Sequence, residues 1–246
     1  MREISVILPT LNEKENIKPL IEEIFHEIRE DTEVIVVDDD SPDGTWAVVE
    51  ELSKTNPNLF LLRRKGERGL ASALEKGIAF SKGEVVVWMD CDLSMPPETI
   101  KTLYAEIVKG YDMAIGSRFV DGGGVEIITG SRDTFLAYLL SLVLNRFVQF
   151  VLGSSVKDYT SGFIAVKRKI LERIPLSGDY GEYFIGLVYR AREQGYRILE
   201  VPYICKARRR GTSKTGSHLF HYLKRGSKYI WLTLKLKFSK QNNKKG

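Results

Sequence analysis

Two aspartates separated by one residue stand directly after the apolar run 85–89. Asp90 and Asp92 flank Cys91. Alternate residues of a strand point the same way, so both carboxylates could approach one oxygen-seeking ion such as Mg²⁺ or Mn²⁺. That ion would keep positions open for a diphosphate and partly neutralise it as a leaving group. The alternative is a solvated acidic turn, because a D-x-D triplet alone is a weak signal.

Three consecutive aspartates, residues 38–40, end another apolar run. The next basic residue expected nearby is Lys54, so a surface salt bridge explains them poorly. A carboxylate at a strand end can accept hydrogen bonds from a ribose hydroxyl or a base N–H, and we predict that Asp39 binds ligand. We predict that Asp40 and Asp43 are structural, because residues 41–44 (SPDG) form a strong turn signal.

Basic residues follow later in the chain at positions suited to phosphate. Arg118 lies just past a predicted strand, and Arg132 precedes a long amphipathic stretch. A guanidinium can bind a phosphate through two hydrogen bonds, although a single arginine is more often a surface residue. The basic segment 208–214 contains Gly211 and reads as a loop that closes over a diphosphate and excludes water.

The elements that must position these residues alternate between strand and helix over the first 120 residues. We predict strands at 4–8, 34–38, 59–62, 85–90 and 113–116, and helices at 15–28, 46–54, 70–80 and 98–109. Beyond them we predict strands at 163–166 and 198–201 and helices at 132–152 and 183–194, followed by a basic tail that ends in an aromatic and apolar stretch at 217–238. This order predicts an α/β fold with a mainly parallel sheet. Ligands bind beyond the carboxyl ends of such strands, so the acidic endings should face one crevice.

Length, composition and charge limit the function classes. With 246 residues and 43% apolar content the chain can bury one large core, and a disordered or collagen-like protein is excluded. The formal net charge is +5, but residues 201–246 carry 13 Lys and Arg and no carboxylate, whereas residues 1–200 carry 24 basic and 32 acidic side chains. The basic end favours a polyanionic partner: nucleic acid, an anionic membrane face or a phosphorylated substrate.

Several other functions lack their motifs. There is no P-loop, GxGxxG or GxSxG, and Cys91 and Cys205 have no zinc-site or disulfide spacing. The N-terminal residues do not read as a signal peptide, so we expect a cytosolic setting. The longest apolar stretch, 135–152, is interrupted by polar residues and is shorter than a bilayer span. We therefore predict a buried or interfacial helix there.

An ordered set of motifs between residue 4 and about residue 214 resembles the family-2 glycosyltransferases of the GT-A fold, and among them the enzymes that mannosylate polyprenyl phosphate. Each motif is weak alone, but the order is specific. The motifs are residues 6–16 (VILPTLNEKEN), 35–45 (IVVDDDSPDGT), Gly69-Leu70 with Ala73, 89–94 (MDCDLS), 116–118 (GSR), 160–163 (TSGF), 200–202 (EVP) and 211–214 (GTSK).

The resemblance implies inverting transfer of mannose from GDP-mannose to dolichyl (polyprenyl) phosphate, with Mg²⁺ or Mn²⁺ as cofactor. It implies that the guanosine contacts are Pro9, Leu11, Glu13, Val37 and Asp39. It further implies a metal site of Asp90, Asp92 and Ser94, with Cys91 beside the diphosphate, and phosphate contacts by Arg118, Arg132, Arg208 and Lys214. The catalytic set is then Asp92, Arg118, Arg132, Arg208 and Lys214. Leu11 stands where an aromatic is usual, and Ser94 where some members have Gln.

This chemistry needs no general base, because a phosphate monoester with a second pKa of about 6 is already largely an anion at neutral pH. Asp179 and Glu182 are the candidates for a base if the acceptor is a sugar hydroxyl instead. Other readings are a glucosyltransferase to the same lipid, a polysaccharide glycosyltransferase using a UDP-sugar, or a nucleic-acid-binding module. The last leaves the acidic strand ends unexplained, since they would repel nucleic-acid phosphate, and we expect no nucleic-acid partner.

We divide the chain into a GT-A catalytic domain, residues 1–214, and a basic amphipathic tail, residues 215–246. The tail mixes aromatic and basic side chains, which favours an anionic membrane surface. We expect peripheral attachment to the cytoplasmic face of a membrane, with a small membrane protein as a possible partner.

Overall fold

The computed structural model describes residues 3–28, 31–126, 132–208 and 219–242, without the side chains of 132–137, 219–225 and 240–242. The strands are β1 (Ile4–Thr10), β2 (Thr32–Asp38), β3 (Leu59–Arg63), β4 (Val85–Trp88), β5 (Met113–Ser117), β6 (Gly124–Val125), β7 (Ile164–Lys167), β8 (Ile198–Pro202) and β9 (Ile204–Cys205). The helices are α1 (Lys14–Glu27), α2 (Thr45–Ser53), α3 (Leu70–Phe80), α4 (Thr99–Val108), α5 (Arg132–Leu152), α6 (Arg168–Leu171), α7 (Glu182–Glu193) and α8 (Leu219–Asn242).

Seven strands form a central sheet in the order β3-β2-β1-β4-β7-β5-β8. β1 pairs in parallel with both β2 and β4, so the carboxyl ends of these three strands meet at one edge, as predicted. β7 runs antiparallel between β4 and β5. The α/β class and the mainly parallel sheet are confirmed, whereas the reversed strand and the small β6-β9 sheet did not follow from the sequence.

Helices cover both faces of the sheet, which explains the continuous Val and Ile runs of its strands. On one face Ile7, Ile35 and Val37 share a buried cluster with residues of α3, α5, α7 and α8. On the other face Val6 and Val34 share a cluster with residues of α1, α2 and α4. Both faces of the sheet are therefore buried, and the site can be formed only by the loops at its edges.

Helix α8 packs onto the body of the protein. Its residues Leu232, Thr233 and Leu236 are buried, and Leu232 and Leu236 join the cluster that also contains residues of α5 and α7. The predicted boundary between residues 214 and 215 lies outside the described residues and stays a prediction. Within the described part of the chain, none of the helices combines the length and the hydropathy that crossing a membrane requires.

Candidate active site

The loops after β1 and β2 are tied together by hydrogen bonds at the carboxyl edge of the sheet. The backbone N–H groups of Asn12, Glu13 and Lys14 donate to Ser41 Oγ, Thr45 Oγ1 and Asp43 Oδ2, at 2.9, 2.9 and 3.0 Å. Asp43 Oδ1 also accepts from the backbone N–H of Thr45 at 2.9 Å. Asp43 is therefore structural, as predicted, and the two loops form one wall.

Asp38, the last residue of β2, stabilises this wall through hydrogen bonds to the end of β1 and to the loop after β2. Its fully buried carboxylate accepts from the Ser41 backbone N–H, from Ser41 Oγ and from Thr10 Oγ1, at 2.8, 2.7 and 2.9 Å. These bonds satisfy a charge that would be costly to bury alone.

Asp39 and Asp40 each have an arginine partner at the end of β3 or one residue beyond it, which corrects the expectation that no basic residue lies near them. Arg64 is 1% exposed and donates from Nε to Asp39 Oδ1 at 2.7 Å and from Nη2 to the same oxygen. Arg63 Nε donates to Asp40 Oδ1 at 2.5 Å. Arg63 lies 23 residues after Asp40, and Arg64 lies 25 residues after Asp39. Only the pairing of β2 with β3 brings each arginine close to its aspartate.

The other oxygen of Asp39, Oδ2, accepts from the backbone N–H of Gly69 at 2.9 Å. Three hydrogen bonds on a carboxylate leave room for about one more, since it has roughly four lone-pair sites. A ligand role for Asp39 therefore stays a prediction that the geometry permits, with Arg64 as the organising residue that sequence reasoning missed.

The acid pair follows β4 and is itself followed by a residue with a strained backbone. Leu93 has a φ of 63°, which is uncommon for a bulky side chain, and it is buried between Asp92 and Ser94. The backbone N–H of Ser94 donates to Asp92 Oδ1 at 3.0 Å. Strain of this kind costs about 1–3 kcal/mol and persists where the surroundings impose it. Leu93 anchors the turn that presents Asp92.

Asp90 reaches solvent at the sheet edge, while the protein around it displaces much of the bulk water. This desolvation, with the negative charges of Asp92 and Glu13, raises the pKa of Asp90 to about 7. The charges of Arg208 and Arg118 oppose the rise. Two acids that share one region in this way favour a bound cation.

Arg208 bridges two acidic side chains at the centre of this edge. Its Nη1 lies 3.2 Å from Glu13 Oε1, and its Nη2 lies 3.0 Å from Asp92 Oδ2. The segment before it is held in place because Lys206 N–H donates to Ser94 O at 2.8 Å and Ala207 N–H to Glu126 Oε2 at 3.1 Å. Arg208, Glu13 and Asp92 thus meet although they lie far apart in the chain.

Two predicted ligand contacts belong to residues with buried side chains, and both stay predictions. Val37 is fully buried in the core beneath α3, so its side chain presents no surface to a nucleotide in this conformation. Cys91 is 4% exposed, and its Sγ donates to Pro9 O at 3.4 Å, so the thiol links β1 to the loop after β4. Pro9 and Leu11 are half-buried at the end of β1, where a ligand contact stays a prediction.

Ser94 is buried, and its hydroxyl lies beside the thiol of Cys205. Burial raises the pKa of that thiol. To bind a metal ion, the Ser94 hydroxyl would have to give up its contact with Cys205. The predicted role of Ser94 as a metal ligand stays a prediction.

Arg118 is held by an acid that sequence reasoning missed. Its Nε and Nη2 donate to the two oxygens of Asp158, both at 2.8 Å, and Nη2 also donates to Thr160 Oγ1 at 2.9 Å. Although desolvation opposes it, this ion pair raises the pKa of Arg118 above its ordinary value. Asp158 stands two residues before the TSGF motif, which could have marked it as a candidate site residue. Its contact with Arg118 could not be predicted, because the two residues are 40 positions apart in the chain.

Four other predicted residues are placed as follows. Arg132 begins α5, but its side chain is outside the described set, and Lys214 lies in the segment 209–218, also outside it. Glu182 is occupied by the backbone N–H groups of Asp179 and Tyr180, at 3.0 and 3.2 Å. The largely exposed Asp179 pairs with Lys228 of α8 at 2.6 Å. Both acids therefore have protein partners, and their role as a base stays a prediction.

The acid pair can supply two carboxylates to a divalent cation, and phosphate oxygens of a substrate would have to supply further ligands. Within the described residues, no group of three or more His, Cys, Asp and Glu side chains is arranged to hold a metal ion. Magnesium is commonly bound by one or two carboxylates plus the phosphates of a substrate. Asp90 and Asp92 match that donor set.

The fold is that of the GT-A glycosyltransferases. Glucosyl-3-phosphoglycerate synthase from Mycobacterium tuberculosis, solved with Mn²⁺, UDP and glucosyl-3-phosphoglycerate, superposes with a TM-score of 0.71 at 21% identity over 96% of this chain and 80% of that chain. The same enzyme with Mg²⁺ and UDP gives a TM-score of 0.70. At this identity the likeness shows the fold.

The chain belongs to glycosyl transferase family 2, whose family model matches residues 5–175. It is 37% identical over 226 residues to a dolichol-phosphate mannosyltransferase of Pyrococcus furiosus, covering 90% of this chain but 62% of that protein. It is 38% identical to a polyprenol monophosphomannose synthase of Mycolicibacterium smegmatis, covering 87% of this chain and 82% of the relative. A dolichol-phosphate mannosyltransferase of Saccharomyces cerevisiae is 33% identical. The family expected from the motifs is confirmed.

Proposed function

We propose that this chain transfers mannose from GDP-mannose to dolichyl or another polyprenyl phosphate, with inversion at the anomeric carbon. The observation that carries the proposal is the acid pair at the carboxyl edge of β4, which Arg208 bridges to Glu13 in the loop after β1. The names of the three relatives support the mannosyl donor and the lipid phosphate acceptor.

Asp90 and Asp92 would hold Mg²⁺ or Mn²⁺. When bound, the cation would supply positive charge that stabilises the departing nucleoside diphosphate. Arg208 already contacts Asp92 and Glu13, so it lies where a diphosphate on the acid pair would be within reach of a guanidinium. Asp39, at the end of β2, would accept a hydrogen bond from the base.

The acceptor phosphate would attack the anomeric carbon directly. One of its anionic oxygens forms the new bond to carbon, the bond from that carbon to the diphosphate oxygen breaks, and GDP leaves with the electron pair. No proton has to be removed, because the phosphate is ionised at neutral pH. This suits a site in which Glu182 and Asp179 are occupied by other partners. The protein's task is to overcome repulsion between two anions.

A lipid acceptor has to be met at a membrane, and two helices offer an apolar surface. Seven large apolar side chains of these helices are exposed, and we propose that they form one surface, which we call the α5–α8 stripe: Leu139, Val143, Phe150, Ile230, Trp231, Leu234 and Phe238. On α8 they lie among lysines, and Lys235 Nζ is 4.8 Å from the centre of the Trp231 ring. We propose that the stripe rests on an anionic bilayer at the cytoplasmic face, alone or with a small membrane protein.

Transfer of radiolabelled sugar from a panel of nucleotide donors to a polyprenyl phosphate tests the proposal. We expect transfer from GDP-mannose that EDTA abolishes and that Asp92→Asn reduces by about a hundredfold or more, the scale of a lost transition-state contact. Asp112→Asn is the matched control, since Asp112 pairs with Lys167 at the opposite end of β5, and it should keep activity. Transfer from UDP-glucose alone, or full activity of Asp92→Asn, would contradict the proposal.

A further inference from the structure

Asp158 holds the guanidinium of Arg118 by one edge. Both Arg118 Nε and Nη2 reach its carboxylate at 2.8 Å, and the Arg118 backbone N–H donates to the same carboxylate at 3.0 Å. The Asp158 side chain is fully buried, whereas 15% of the Arg118 side chain is exposed. A bidentate contact of this kind fixes the plane of the guanidinium as well as its position.

The bonds to Asp158 and Thr160 use three of the five guanidinium N–H groups, namely those of Nε and Nη2. Nη1 has no hydrogen-bond partner among the residues that the structure describes. The exposed end of Arg118 therefore keeps two donors for an anion, while its other edge is fixed.

The turn that carries Asp158 is itself clamped from two sides. Asn145 of α5 is fully buried, donates from Nδ2 to Thr160 Oγ1 at 2.7 Å and accepts from the Tyr159 N–H at 2.7 Å. Glu200 of β8 accepts from the Asp158 N–H at 2.9 Å. Because this turn is anchored, Asp158 sets the position of Arg118 rather than following it.

The position of Arg118 favours the acceptor side of the site. The predicted nucleoside contacts lie at β1 and β2, the acid pair follows β4, and Arg118 follows β5, beyond the acid pair in the order of the sheet. Its anchoring turn is bonded to α5, the helix that carries three of the seven residues of the α5–α8 stripe. A lipid phosphate arriving along that helix would reach Arg118 before it reached the nucleoside end.

We propose that Asp158 is a positioning residue that holds Arg118 so that Nη1 binds the phosphate of the lipid acceptor. The proposal rests on the proposed transfer to polyprenyl phosphate and adds a residue to it. A guanidinium fixed in advance loses little conformational freedom on binding, so acceptor affinity depends on Asp158.

The test compares the KM values for acceptor and donor in Asp158→Asn, with a short-chain polyprenyl phosphate as acceptor. We expect the acceptor KM to rise by about tenfold or more, the scale of one lost hydrogen bond to a charged group, with the donor KM little changed. The control Asp112→Asn should lower the melting temperature and leave both KM values unchanged. In an Arg118→Lys background, Asp158→Asn should add less than about twofold, because the two residues act as a unit.

A folded Asp158→Asn enzyme with the wild-type acceptor KM would overturn the proposal. Should that variant fail to fold, Asp158→Glu decides, since it keeps the charge opposite Arg118 but displaces the carboxylate from Nε and Nη2 by one methylene. Its acceptor KM should rise several-fold, and an unchanged value would overturn the proposal.

If wild-type protein transfers no mannose, the proposed function fails, and calorimetry with the same lipid phosphate tests Asp158 separately. Weaker binding by the variant than by wild type supports the proposal. Equal affinity, or no binding by wild type, overturns it.

Discussion

Arg64 and Asp39 form an almost fully buried ion pair beneath the predicted nucleotide site. Arg64 also donates to Ser72 Oγ and to Gly69 O, both at 2.9 Å, so one side chain organises the loop before α3. Removing one member of a buried pair leaves the other charge uncompensated, which costs far more than the pair contributes.

We therefore expect Arg64→Met to lower the free energy of unfolding by about 3–5 kcal/mol. The neighbouring Arg63→Met is the matched control, because the Arg63–Asp40 pair is partly exposed and should cost about 1 kcal/mol or less. Urea denaturation of both variants measures the difference. Equal losses would show that Asp39 does not depend on Arg64.

The raised pKa of Asp90 makes the stability of the metal-free protein depend on pH. The folded protein keeps a proton on Asp90 up to about pH 7, whereas the unfolded chain releases it near its ordinary value of about 3.9. Between these values the folded state binds more protons, so this carboxyl destabilises the fold increasingly as pH rises.

In EDTA at pH 8, we expect Asp90→Asn to melt at a higher temperature than wild type, with the difference shrinking towards pH 4. Thermal melts across this pH range measure it. Adding Mn²⁺ should raise the melting temperature of wild type more than that of the variant. A difference that does not change with pH would contradict the pKa assigned to Asp90.

At the scale of elements, α3 lies unusually close to the sheet. A Cβ built on Gly77 would stand 2.5 Å from Ile7 Cγ2 and 3.1 Å from Val37 Cγ2. Only glycine allows this approach, and the approach places Gly69, at the start of α3, against Asp39. Helix packing thus positions a residue of the site.

Gly77→Ala should destabilise the protein by about 1–3 kcal/mol, because an added methyl overpacks this contact. The control is Gly226→Ala in α8, where an added Cβ meets none of the atoms that the structure describes within 4 Å and better helix propensity should stabilise by up to about 1 kcal/mol. Chemical denaturation compares them. Equal changes in the free energy of unfolding would show that α3 can move away from the sheet at little cost.

Most of the sheet could be predicted from the sequence, because buried parallel strands appear as apolar runs with turn residues between them. The direction of β7 could not, since its residues are equally compatible with either orientation. The two-residue strands β6 and β9 are too short to show a period. Asp90 and Asp92 could be found because their spacing in the sequence is local. Arg64 and Asp158 could not, because their roles depend on contacts between segments that are distant in the chain.

For the whole molecule, the uneven charge and the α5–α8 stripe suit a surface that meets a membrane. The last carboxylate of the sequence is Glu200, so α8 carries only basic charge around its exposed aromatic residues. An apolar stripe with this charge binds anionic vesicles better than neutral ones.

We expect the double variant Trp231→Ser, Phe238→Ser to bind anionic vesicles at least about tenfold more weakly, from the loss of two inserted aromatic side chains. Vesicle sedimentation measures this. Val108→Ser is the control, since Val108 is 69% exposed at the end of α4, outside the stripe. Wild-type binding by the double variant would exclude the stripe as the membrane contact.

The central claim is that Asp90 and Asp92 together hold the cation that binds the donor diphosphate. Anomalous diffraction from crystals containing Mn²⁺ and GDP tests it most directly. The account predicts a manganese peak contacting both carboxylates, with the diphosphate of GDP on the same ion. GDP bound elsewhere with no manganese at these two residues would contradict it.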